Sequence, residues 1–158
     1  MHSLDRWRAN GRLPMSAVQY EGYAEAQSHL KDLLDAATDG VVATVRRDGE
    51  RLAIVDADRL RCALSRLFPS NAEAVSENGG WSVALPGLPA GASGATFDEA
   101  VDEMADELRE YAEDWQSRLR VAPNHRENWG IVQLIGLSDD VQLRGWLLGD
   151  AADSRLRR

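Results

Sequence analysis

Three arginines crowd one dipeptide: Arg46 and Arg47 precede Asp48-Gly49, and Arg51 follows it. Guanidinium groups gathered at one tip of a chain suit phosphate oxygens, which they meet with planar, paired donors. A second set of side chains has the opposite sign. Asp98, Glu99, Asp102, Glu103, Asp106, Glu107, Glu110, Glu113 and Asp114 recur at short, helix-like intervals. On a helix such spacing gathers carboxylates on one side, where they steer a basic protein into contact or simply stay solvated. Neither set makes an active site. His2, His29 and His125 stand in three unrelated segments, away from any nucleophile motif such as G-x-S-x-G. There is no P-loop, dinucleotide fingerprint or H-E-x-x-H. Glu99, Glu103, Glu107 and Glu110 have helical spacing but no histidine at matching intervals, so no metal site is expected. The residues point to a binding protein rather than an enzyme, without metal or cofactor.

The chain has 158 residues, 44 % of them hydrophobic and 28 % charged, the balance of a folded protein rather than a disordered one. No apolar run reaches the ~20 residues of a membrane span. The opening MHSLDRWRANGRLP lacks the apolar centre of a secretory signal. A single cysteine, Cys62, cannot form an internal disulfide. Together these predict a cytoplasmic protein. Residues 1–70 hold ten basic and ten acidic side chains, and residues 71–158 hold eight and sixteen, so the net charge of −8 belongs to the second half. That asymmetry suggests two units with different partners.

The arginines need a hairpin to carry them. VVATVRR and RLAIVD flank Asp48-Gly49, and β-branched runs around Asp-Gly predict a two-residue turn with positive φ at both central positions. Ahead of it, AVQYE at 17–21 predicts a short strand. Tyr23, Ala26, Leu30, Leu33, Leu34 and Ala37 then mark the apolar face of a helix stopped at Gly40. Asp56 caps a further helix that carries Ala57, Leu60, Ala63, Leu64 and Leu67 on its face and ends near Pro69; Cys62 is expected partly buried on it.

The acids need a long helix. Thr96-Phe97-Asp98-Glu99 fits a capping box, and Phe97, Val101, Met104, Leu108, Tyr111, Trp115 and Leu119 hold an apolar stripe opposite the carboxylates. WSVAL predicts a strand before it, and PGLPAGASG a loop with a short strand inside. After Pro123, WGIVQLIGL and VQLRGWLLG predict two buried strands around Ser138-Asp139-Asp140, with His125-Arg126-Glu127 as a polar turn. Trp81, Trp115, Trp129 and Trp146 fall on apolar positions and are expected in the core.

From Tyr20 to Leu67, YAEAQSHLKDLL stands where one pattern reads Y-S-E-A-R-x-x-L-x-x-L-L, and VVATVRRDGERLAIVDADRL supplies strand, arginine, hairpin, strand and small helix. In this the chain resembles the Phd/YefM family of antitoxins, the DNA-binding halves of bacterial toxin–antitoxin pairs. The resemblance implies a strand–helix–hairpin–helix unit that dimerises and binds its own operator, with arginines of the first helix and second strand on DNA. The strand arginine aligns with Arg46, beside Arg47 and Arg51. The helix arginine aligns with Gln27, which can pair with adenine but gives up the charge that grips phosphate. His29 and Lys31 would assist, together with Arg6, Arg8 and Arg12 of the tail. Physics agrees with pairing: so small a unit buries little apolar surface alone, and a two-fold dimer reads two half-sites.

GGWSVALPGLPAG followed by GATFDEAVDEMADELREYAEDW resembles the HicB-like antitoxin domain. That likeness implies a small sheet with one helix, a reduced ribonuclease-H-like shape without its catalytic acids, completed by the strands after Pro123 and used to bind protein. Glu99, Glu103, Asp106, Glu107, Glu110 and Asp114 are then the residues expected to meet a toxin.

The expected fold is α+β: a flexible tail (1–14), a Phd/YefM-like unit (15–70), a linker or weak edge strand (71–80), a HicB-like domain (81–150) with one long amphipathic helix, and a frayed tail (151–158). The expected function is that of a type II antitoxin. A dimer would bind operator DNA for autorepression, and the acidic half would neutralise a cognate toxin by protein contact. The alternative is a protein-binding scaffold without DNA function, its first unit only dimerising.

Overall fold

The computed structural model describes residues 18–149. The tail arginines Arg6, Arg8 and Arg12, the first residue of the strand expected at 17–21, and the end segments 1–14 and 151–158 lie outside the described residues. The fold is α+β, with two three-stranded sheets and six helices, one of them long, among the described residues. The chain forms two compact units, one up to Arg59 and one from Leu60.

In the first unit, β1 (Val18–Tyr20) lies parallel to β2 (Ala43–Arg47), and β2 pairs antiparallel with β3 (Glu50–Ile54). Asp48 and Gly49 take φ of 51° and 82°, the two-residue turn that Asp-Gly favours. Two helices, α1 (Tyr23–Ser28) and α2 (Leu30–Thr38), place Ala26 and Leu33 over Ala43, with Val18, Tyr20, Val45 and Ile54 around them.

The apolar spacing from Tyr23 to Ala37 predicts one helix, but the chain breaks at His29, whose φ and ψ are −116° and 28°. There the imidazole lies flat on Tyr20, ring centroids 5.1 Å apart. Helical spacing cannot reveal a stacking partner two elements away. Gly40, at φ 79°, turns the chain out of α2, while the Val41 N–H donates to Ala36 O at 2.8 Å. The Arg59 guanidinium packs against Gly40, so its charge sits by the carbonyl end of α2.

Asp56 accepts from the Arg59 N–H at 2.9 Å and starts α3 (Ala57–Leu67), on which Cys62 is buried. The second sheet runs β4 (Glu73–Glu77), β5 (Gly80–Ala84), β6 (Gly91–Gly94), all antiparallel. Of the two readings of residues 71–80, the edge strand is the one formed. Asn78-Gly79 makes its turn, with φ of 51° and 75°. Asn-Gly is a strong hairpin dipeptide, outweighing the weak β-propensity around it.

The long helix α4 (Phe97–Ser117) begins at the expected capping box. Val101, Met104, Leu108, Tyr111 and Trp115 are buried along it against Val83, Leu85 and Leu88.

The two strands expected after Pro123 are helices: α5 (Trp129–Leu137) and α6 (Asp140–Leu147). A nine-residue apolar run carries no readable period, because every face is apolar. In the second segment Leu143, Trp146 and Leu147 are buried while Val141 is 81 % exposed, which is helical spacing and not alternation. A capping box also marks this helix: Gln142 N–H donates to Asp139 Oδ1 at 2.7 Å, and Asp139 N–H to Gln142 Oε1 at 2.9 Å. Residues 129–147 therefore add no strand to the sheet. Trp115 and Trp146 are in the core as expected, donating to His125 O and Phe68 O, each at 2.8 Å. Trp81 is half-buried and packs edge-on to Phe97. Trp129 departs from the expectation: it opens α5 at 52 % exposure. Among the described residues no helix is long and apolar enough to cross a membrane.

Two glycines separate packing from backbone freedom. A Cβ at Gly94 would lie 2.6 Å from Ala100 N, at the start of α4, whereas one at Gly136 would meet nothing within 4 Å. In urea denaturation Gly94→Ala is expected to destabilise by about 1–3 kcal/mol. Gly136→Ala should stabilise by about 0.5–1 kcal/mol.

Candidate functional site

The hairpin register decides how its arginines are grouped. Arg46 stands directly opposite Arg51, and Arg47 opposite Glu50. Side chains alternate along a strand, so Arg46 and Arg51 share one face and Arg47 takes the other. The pair next to a two-residue turn exchanges both hydrogen bonds, so Arg46 and Arg51 form the non-hydrogen-bonded pair, where side chains come closest. Like charges in that position repel. Glu21, just past β1, answers part of the repulsion, with its carboxylate 3.3 Å from Arg46 Nε. Arg51 has no carboxylate within ion-pair distance among the described residues.

Arg47 belongs to the helix side. Its guanidinium lies 5.6 Å above the centre of the Tyr23 ring, a cation–π contact that holds it over α1. Gln27 is one turn further along α1, so Arg47, Tyr23 and Gln27 follow one surface. Spacing showed Tyr23 only as a candidate core position; the structure leaves it 61 % exposed and gives it the arginine. His29 and Lys31 are engaged by their own helix pair. His29 lies on Tyr20 with Nδ1 3.4 Å from Asp32, and Lys31 donates to Asp35, which raises the lysine pKa. Partial burial, then the charges of Asp32 and Glu25, also lift the Tyr20 phenol above its ordinary value.

On α4 the carboxylates fall into two groups, those bound within the fold and those facing water. Glu99 closes the capping box: it accepts from Ala95 and Thr96 N–H at 2.9 and 3.2 Å, and its own N–H donates to Thr96 Oγ1. Arg144 of α6 bridges Asp98 and Asp102. Asp114 binds Arg118 at 2.9 Å and raises that arginine's pKa. What remains is Glu103, Asp106, Glu107, Glu110 and Glu113, with no ion-pair partner among the described residues. All five lie off the buried stripe, Glu107 half-buried at its margin and the others exposed. Arg109, on the flank, donates to Ile135 O at 3.1 Å and Ser138 O at 2.9 Å and pairs with Asp140, closing the end of α5. No helical spacing signals Arg109 or Arg144, since their partners are 26 to 46 residues away. Among the described residues no group of histidine, cysteine and carboxylate side chains could hold a metal ion.

Residues 18–145 match the PHD-like family model, described as antitoxin of toxin–antitoxin, RelE/RelB, TA system. The match runs through both units. Among solved structures, one from Syntrophomonas wolfei subsp. wolfei, described as the antitoxin part of a proposed toxin/antitoxin system, is similar at a TM-score of 0.70. The two are 21 % identical, and the similarity covers 82 % of this chain and 96 % of that one, so it speaks for the fold alone. No curated protein matches the chain.

The capping box sets where the acidic row begins. Thr96→Ala is expected to cost about 1 kcal/mol in chemical denaturation and to speed amide exchange in the first turn of α4. Exchange from Met104 onward should be unchanged.

Proposed function

This chain belongs to the PHD-like antitoxin family, and from that premise we propose that it represses its own operator as a dimer and holds its toxin through the second unit. It is the antitoxin of a type II toxin–antitoxin pair, and the family is not enzymatic. The observation that carries the DNA role is the Arg46–Arg51 pair. Two arginines held opposite each other on one face, with Glu21 beside Arg46, gain from an arriving phosphate what they lose by mutual repulsion. Arg47, fixed by Tyr23 and flanked by Gln27, supplies a second contact on the other side of the turn. Gln27 offers an amide for a base edge where the family's pattern has an arginine.

Pairing has its own support. Leu30 and Leu34 of α2 and Leu52 of β3 are each about half exposed, at 52 %, 51 % and 51 %. A second copy laid on that side would bury them and bring two hairpins to two half-sites. Glu103, Asp106, Glu107 and Glu110 supply a charged face for a toxin that must itself attract phosphates. The likeness of GGWSVALPGLPAG and the acidic helix to HicB-like domains supports that role, with α5 and α6 where that pattern implied closing strands. The reading places the protein in the cytoplasm, beside its operator.

The missing arginine at Gln27 favours a second reading, a scaffold that dimerises without touching DNA. Mobility shifts with the promoter upstream of its own gene separate the two. Arg46→Ala with Arg51→Ala is expected to weaken binding about tenfold or more and to flatten its salt dependence, while Gln27→Arg should tighten binding. No salt-sensitive shift by the unaltered protein would establish the scaffold, and binding unchanged by the double substitution would remove the Arg46–Arg51 pair from the DNA contact. Glu103→Lys with Glu107→Lys should weaken capture of the toxin encoded by the adjoining reading frame, most strongly at low salt.

A further inference from the structure

The second sheet ends at β4 on one side, and that edge is open. On the other side of the sheet the face of β6 lies against α4, where a Cβ at Gly94 would meet backbone. β4 pairs with β5 alone, and all five of its residues are exposed. The register fixes which groups face outward. Glu77 and Gly80 flank the two-residue turn and form a hydrogen-bonded pair, as do Val75 with Ser82 and Glu73 with Ala84. The N–H and C=O groups of Ala74 and Ser76 therefore point away from the sheet, and no hydrogen bond to them occurs among the described residues.

Side chains give this edge a chemical signature. Val83 and Trp81 of β5 face α4, so Ala74 and Ser76 opposite them do too. Glu73, Val75 and Glu77 project from the uncovered side, with Val75 53 % exposed between two carboxylates. Neither carboxylate has an ion-pair partner among the described residues.

We infer that the β4 edge accepts an extended segment of the toxin as a fourth strand, one with Lys or Arg two residues before and two residues after an apolar side chain. This rests on the antitoxin reading and adds a second contact to the α4 acids. Backbone groups of Ala74 and Ser76 supply the ladder, and the side chains set the choice of strand. A second copy of this chain is the wrong occupant. Antiparallel pairing about Val75 would set Glu73 beside Glu77 of the other copy, and parallel pairing would set each acid beside itself, which like charges oppose. A basic strand turns both positions into opposite-charge pairs.

The test uses the full chain and a capped synthetic peptide, Thr-Lys-Thr-Val-Thr-Lys-Thr, with a control in which glutamate replaces lysine. Amide exchange read by NMR should slow at Ala74 and Ser76 with the basic peptide and not with the acidic one. Ala74→Pro removes an outward donor without touching the β4–β5 ladder, since proline is tolerated where an edge N–H faces solvent; the protection at Ser76 should be lost. Glu73→Lys with Glu77→Lys should exchange the preference, so that the acidic peptide protects the edge, and this variant decides the matter if the proline variant fails to fold. Unaltered exchange at both amides, equal protection by both peptides, or protection that survives Ala74→Pro in the folded protein would overturn the inference. Because the probe is a peptide, such a result removes the edge contact and leaves the operator and α4 readings to their own experiments.

Discussion

The apolar stripe of α4 is the constraint on which the second unit is built. Met104 and Leu108 are fully buried, and strands on one side and helices on the other all close on that line of side chains. A helix so occupied on one side has its remaining circumference fixed as well, since 3.6 residues per turn leave no freedom about which residues face out. The carboxylates from Glu103 to Glu110 are held in one row by what lies beneath them. The apolar contacts and the charged surface are two consequences of one period.

Charge follows a similar economy in both units. Among the described residues of the second unit, Arg109 and Arg144 form long-range ion pairs and also tie elements together. Arg109 closes α5, and Arg144 joins α6 to the first turns of α4. Such pairs on a wet surface contribute at most about 1 kcal/mol each, so they orient elements more than they stabilise them. In the first unit the arginines at the hairpin tip are instead left facing water. Arg46 has one carboxylate, Arg47 has Tyr23 and the neighbouring Asp48, and Arg51 faces Arg46. Positive charge is tied down where the fold needs it and left available at the turn.

Where local chemistry decided the structure, the sequence could be read directly. Asp48-Gly49 forms the turn that its backbone angles require, Gly40 ends α2, and the Thr96–Glu99 capping box starts α4. The long helix was legible because it alternates apolar and charged residues with a clear period. WGIVQLIGL was not, because a run that is apolar at nearly every position fits a buried strand as well as a buried helix. Its neighbour carried a usable clue in Asp139 and Gln142, a helix start that the surrounding apolar residues obscured. The break at His29 and the exposure of Tyr23 depend on Tyr20 and Arg47, partners set by the sheet rather than by spacing. The grouping of Arg46 with Arg51 could be deduced once the turn was assigned, since a two-residue turn fixes the register.

Glu21 gives the hairpin a threshold. Any anion approaching Arg46 must first displace a carboxylate already there, 3.3 Å away, and an exposed ion pair of this kind is worth about 1 kcal/mol or less. That is small against a ligand that engages several side chains together, yet it cuts the occupancy of a lone, passing contact several-fold. Stray polyanions that touch a single arginine are thus discouraged, and residence on them is brief. The same carboxylate leaves the Arg46 charge partly screened whenever no other anion is near.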